Sequence, residues 1–218
     1  MTSPSTERIP LSDALRRTAV VAVLRADSPR HVGSVARTLA EAGVVCLELT
    51  LTTPGALDAL ESLRKDLGDA VDVGMGSVRS AEEARRSLDA GAGFLVSPGF
   101  QADVVALALA AGVPVCPGGL TPTELASAWD AGASAVKLFP ASTVGPAHLA
   151  AFRGPYPEVA VMPTGGIAID DIPAWIRAGA QAVGLGGPLI RDALSGGDLT
   201  DLAGRARRAL EAVAGARS

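Results

Sequence analysis

Apolar and polar positions alternate along this chain in a regular way from about residue 19 almost to the last residues. Short runs that are apolar throughout and rich in β-branched residues read as strands over 19–25, 44–51, 71–77, 94–98, 113–117, 134–139, 159–164 and 182–186. Between them the pattern predicts helices over 29–42, 54–67, 80–90, 102–111, from 121 onward, 146–152, 169–178 and about 199–216. A short helix over 10–17, with Ser12 as its cap, precedes the first strand, and residues 1–9 read as a loose lead-in. The boundaries carry their own signals. Pro54 falls in a first helical turn, Thr121 and Glu124 have capping-box spacing, and Ala-Gly pairs recur at 42–43, 90–91, 111–112, 131–132 and 178–179. Each such glycine suits a left-handed helix stop just ahead of the next strand.

Strands buried on both faces read as continuous apolar runs, so this alternation implies a parallel sheet. Eight strand–helix units predict an α/β fold of the (β/α)8 TIM-barrel type with a short N-terminal helix, forming one domain over 1–218. An open doubly wound sheet is the alternative.

Composition narrows the functional classes. The net charge of −4 and the 3% aromatic content offer neither a basic footprint nor a stacking platform for nucleic acid. No apolar run approaches membrane-spanning length, and the polar N-terminus lacks the apolar core of a secretory signal, so no membrane partner and a cytoplasmic location are expected. Cys46 and Cys116 sit in different apolar runs and read as inert core thiols. His31 and His148 lie far apart in polar contexts, which supports neither a zinc site nor a Ser-His-Asp triad.

Two residues break the apolar pattern. The chain has only two lysines. Lys65 lies at a polar helix end, whereas Lys137 is flanked by Ala135, Val136, Leu138 and Phe139. A buried ammonium is costly unless it is paired or loses its proton, and a neutral amine is what attacks a carbonyl to form a Schiff base. Glu48 is equally out of place within 44–51, and a buried carboxylate beside such an amine can shuttle protons. An ion pair that only holds the core together is the other reading. In a barrel, reactive groups stand at the C-terminal strand ends, which draws attention to Arg25, Ser77, Pro98 and Thr164. Gly165-Gly166 and Gly186-Gly187, following the seventh and eighth strands, suit close approach to a phosphate.

The segments Leu47-Glu-Leu-Thr50, Gly74-Met-Gly-Ser77, Val96-Ser-Pro-Gly99, Pro117-Gly118, Thr121-Pro-Thr-Glu124, Val136-Lys-Leu-Phe-Pro-Ala141 and Met162-Pro-Thr-Gly-Gly-Ile167 together resemble the bacterial 2-keto-3-deoxy-6-phosphogluconate / 4-hydroxy-2-oxoglutarate aldolase family. The resemblance runs from about residue 20 to 194. It implies a class I aldolase, usually a homotrimer, acting on a small 2-keto acid, with Lys137 forming the imine and Glu48 acting through water as acid and base. Pyruvate and an aldehyde would be released: glyceraldehyde 3-phosphate from the phosphorylated sugar acid, or glyoxylate from 4-hydroxy-2-oxoglutarate. Because the protonated imine is itself the electron sink, neither a metal nor another cofactor is implied. Thr164, Gly165 and Gly166 match the family's substrate- and phosphate-binding turn, and Pro98 and Phe139 match pocket-lining positions.

Two departures stand out. Where many members carry an arginine for the substrate carboxylate, this chain has Thr52, and Arg25 is the residue expected to compensate. Where a serine follows the strand-8 glycines, this chain has Pro188, which lacks both hydroxyl and N–H. A phosphosugar isomerase or synthase on the same architecture, and a non-catalytic barrel that binds a phosphorylated acid, remain the competing readings.

Overall fold

A computed structural model describes residues 8–218; most of the expected lead-in, residues 1–7, lies outside the described residues. The chain runs α1 (Asp13–Thr18), β1 (Val20–Leu24), α2 (Val32–Glu41), β2 (Cys46–Thr50), α3 (Ala56–Leu67), β3 (Asp72–Gly76), α4 (Ala81–Asp89), β4 (Leu95–Val96), α5 (Ala102–Ala110) and β5 (Val115–Cys116). It continues with β6 (Gly118–Gly119), α6 (Pro122–Asp130), β7 (Val136–Leu138), α7 (Pro146–Arg153), β8 (Val161–Pro163), α8 (Ile172–Arg177), β9 (Val183–Leu185), α9 (Gly187–Ile190) and α10 (Leu199–Arg217).

All strand pairs are parallel, in the orders β5-β4-β3-β2-β1-β9 and β6-β7-β8. The fold is therefore α/β with a curved parallel sheet, and strand residues such as Leu47, Leu49, Val73, Leu95, Leu138 and Val161 are fully buried. The strand expected over 113–117 contracts to β5 and stops before Pro117, since proline has no N–H for the ladder, and the pattern reading missed the further short strand β6 at Gly118–Gly119.

Local chemistry explains the element boundaries. Ser12, Ser80 and Thr121 accept from backbone N–H groups at the starts of α1, α4 and α6, and Thr121 with Glu124 completes a capping box. Gly43, Gly91, Gly112, Gly132 and Gly179 have φ between 68° and 101°, which ends each preceding helix as the Ala-Gly pairs predict.

The start of α3 differs from expectation. Thr53 N–H donates to Thr50 O and Gly55 takes φ 69°, so a turn delays the helix to Ala56 and leaves Pro54 outside it. The short helix α9 is also absent from the pattern reading, because four residues are too few to show a helical period.

Candidate active site

β2 and β7 each carry one charged side chain into the apolar interior. Glu48 lies opposite Val23 and Gly74 in the sheet register, and Lys137 lies opposite Gly118 and Met162. Their side chains meet: Lys137 Nζ is 3.8 Å from Glu48 Oε1, with side-chain exposures of 7% and 1%. Lys137 Nζ also stands 5.1 Å from the centre of the Phe139 ring, whose face favours a cation. Glu48 Oε2 is buried with no hydrogen-bond partner among the described residues. A carboxylate oxygen held this way has spare accepting capacity beside an amine, which is what a proton relay requires.

Gly76 is the residue that makes room for this arrangement. A Cβ there would collide with the Glu48 carboxylate, so the last residue of β3 has to lack a side chain. Ser77 follows with φ 60°, an uncommon conformation for a residue with a side chain, and its hydroxyl accepts from Arg25 Nη2 at 3.4 Å.

Lys137 opens into a cleft of about 240 Å³. The structure brings Arg25, Ser77, Pro98, Phe139, Thr164, Gly165, Gly166, Gly186 and Gly187 together on its walls. Gly165 and Gly166 have φ 99° and 73°, and side chains at these positions would press on the Phe139 ring and the Ser142 hydroxyl. The turn after β8 therefore needs both glycines.

Thr52 stands elsewhere. Its hydroxyl is 3.0 Å from Thr50 Oγ1, and it lines a separate surface hollow with Thr53, Pro54, Asp58, Glu83 and Arg86. The delayed start of α3 is what turns it away.

Arg191, which the pattern reading passed over, lines the cleft beside Gly187 and Ile190. An arginine following the apolar pair Leu189-Ile190, a few residues after a Gly-Gly turn at a strand end, was the available signal.

Both thiols are free and buried. Burial, reinforced by Asp72, pushes Cys46 up to about 12, and burial, reinforced by Glu48, does the same for Cys116. Burial that favours the protonated thiol disfavours the thiolate, which is the nucleophilic form. Among the described residues no group of three or more His, Cys, Asp or Glu side chains could hold a metal ion, and no helix is long and apolar enough to cross a membrane.

Comparison with known proteins places this geometry among relatives. The profile described as "Aldolase: KDPG and KHG aldolase" matches residues 11–203. The 2-dehydro-3-deoxy-phosphogluconate aldolase of Treponema pallidum (strain Nichols) is 34% identical over 208 residues, covering 94% of this chain and 98% of that protein. Among solved structures, a 4-hydroxy-2-oxoglutarate / 2-dehydro-3-deoxyphosphogluconate aldolase from TTHB1 is 40% identical with a TM-score of 0.79, covering 92% of this chain and 96% of that one. A KDPG aldolase from Legionella pneumophila, with pyruvate captured as a covalent carbinolamine intermediate, is 26% identical with a TM-score of 0.82, covering 89% and 95%.

Proposed function

The chain belongs to the KDPG and KHG aldolase family and is an aldolase, a lyase, and from that premise we propose that Lys137 carries its reaction as a Schiff base. The observation that carries this reading is the buried Lys137–Glu48 pair at the floor of a cleft that also presents Arg25 and two Gly-Gly turns. The covalent carbinolamine of the Legionella pneumophila relative supports the same chemistry.

In this reading Lys137 Nζ adds to the C2 carbonyl of a 2-keto-3-deoxy-6-phospho-sugar acid, and loss of water gives the iminium. Glu48, through water, accepts the C4 hydroxyl proton as the C3–C4 bond breaks, and the bond's electrons pass into the iminium to form an enamine. The aldehyde leaves. Protonation at C3 and hydrolysis then return pyruvate and the free lysine. Arg25, held toward the cleft by Ser77, is the cation for the C1 carboxylate in place of the arginine that Thr52 replaces. Thr164, Pro98 and Phe139 shape the walls. Cleavage of 4-hydroxy-2-oxoglutarate to pyruvate and glyoxylate uses the same machinery.

The whole-chain reading is a single (β/α)8 barrel domain. Its support is the parallel bridge from Thr164 to Gly184 between the β8 and β9 ends, the Gln181 N–H bond to Val161 O, and the Ser134 N–H bond to Val115 O between β5 and the approach to β7. The family resemblance supports a cytoplasmic homotrimer, which light scattering checks.

Borohydride reduction in the presence of pyruvate, followed by peptide mass spectrometry, tests the mechanism. A pyruvate adduct on Lys137 and none on Lys65 is expected, with Lys137→Arg unlabelled and inactive. An unlabelled wild-type protein, under conditions that trap a control aldolase, overturns the imine.

A further inference from the structure

We propose that Arg191 is the cation that holds the substrate's terminal phosphate in this chain, standing in for the donors that Pro188 removes. The inference rests on the aldolase reading above and names the group that makes the enzyme prefer phosphorylated substrates.

Three observations lead to it. Arg191 lines the cleft together with Gly165, Gly166, Gly186 and Gly187, and Arg25 and Ser77, which hydrogen-bond to each other, line it as well. Besides Lys137, which Glu48 already engages, the cleft thus offers two arginines, enough for a carboxylate and a phosphate each to have a cation. Arginine's planar fork suits phosphate oxygens.

The backbone at Arg191 is held in an unusual state. It has φ 49° and ψ −124°, outside the broad regions open to residues with side chains, and its N–H donates to Gly187 O at 2.8 Å. The two preceding carbonyls, Leu189 O and Ile190 O, accept from the buried Arg205 guanidinium at 2.7 and 3.3 Å. Strained backbone persists where the surroundings over-determine it, and such sites cluster where ligands bind.

The local charge is also unbalanced. Among the described residues Arg191 makes no ion pair within 4 Å, yet it lies near enough to Arg205 that burial, and next the Arg191 charge, lower the Arg205 pKa; Asp201 and Asp192 oppose this. A dianion in the cleft neutralises the repulsion between the two guanidinium groups. Arg191 also borders a hollow with Asp201 and Arg208, so outward pairing is the competing arrangement.

The test compares 2-keto-3-deoxy-6-phosphogluconate with the unphosphorylated 4-hydroxy-2-oxoglutarate in Arg191→Ala and Arg191→Gly. The glycine variant relieves the positive φ, so it folds even if the alanine variant does not. For the phosphorylated substrate, kcat/KM is expected to fall roughly 10- to 100-fold, the loss of a charge-assisted contact. Cleavage of 4-hydroxy-2-oxoglutarate should stay within about twofold, and inhibition of that cleavage by inorganic phosphate should weaken to the same extent as the phosphorylated substrate's loss. Equal losses on both substrates, or no loss on either, overturn the assignment to phosphate. A wild-type protein that cleaves neither substrate and traps no pyruvate overturns the aldolase reading instead, so the two failures are distinguishable.

Discussion

Lys137 and Glu48 hold each other in a place where neither charge is stable alone. Removing one partner strands the other in the core, so Lys137→Ala is expected to destabilise the fold by about 3–5 kcal/mol. The double change Lys137→Met with Glu48→Gln should recover most of that loss while remaining inactive, and urea midpoints of the three proteins check the pair. This pair was legible in the sequence because a charge inside an apolar strand is conspicuous. Arg191 was only weakly signalled by its place shortly after a Gly-Gly turn, because an arginine in a loop needs no explanation until its backbone dihedrals are known. Gly76 was visible as a strand end, but its role is to leave space for a carboxylate on the neighbouring strand, a tertiary relation that local pattern does not encode. Thr52 was located by family resemblance, and the turn that points it away depends on hydroxyl and backbone contacts among Thr50, Thr52 and Thr53.

The elements are set by their ends more than by their middles. Strand cores and helix stops followed from the apolar runs and the Ala-Gly pairs. The onset of α3 did not, because proline at a first helical turn competes with a threonine turn that the pattern cannot rank. At α6 the box is complete: Glu124 Oε2 accepts from the N–H groups of Thr121 and Leu120 at 2.8 and 2.9 Å. These bonds, that from Thr121 first, hold the Glu124 carboxyl below its ordinary value of 4.5. A carboxylate depressed in the folded state contributes stability above that ordinary value and loses it as pH falls through the folded one. Thr121→Ala is expected to cost about 1 kcal/mol at neutral pH, measured by urea denaturation, with the gap from wild type narrowing in acid as Glu124 protonates.

For the molecule as a whole, the two thiols report on the integrity of the core. Cys46 and Cys116 both border a small internal cavity with Val21, Phe94 and Met162, on the opposite side of the interior from the cleft residues described above. Each has a folded value near 12 against an ordinary 9.0, so the folded state favours the protonated thiol. Their contribution to stability is intact below about 9 and is lost as pH rises toward 12. Iodoacetamide at pH 8 should leave both unmodified in the native protein and label both in denaturant, with mass spectrometry as the readout. Labelling of either thiol in the native state would contradict the burial.

Arg205 also ties an outer helix to the cleft. It stands on α10 and fixes the carbonyls of Leu189 and Ile190, 16 and 15 positions before it, and those residues lead directly into Arg191. Arg205 itself is not among the residues that line the cleft. Helix α10 therefore acts as a buttress, bracing from behind a wall to which it contributes no side chain.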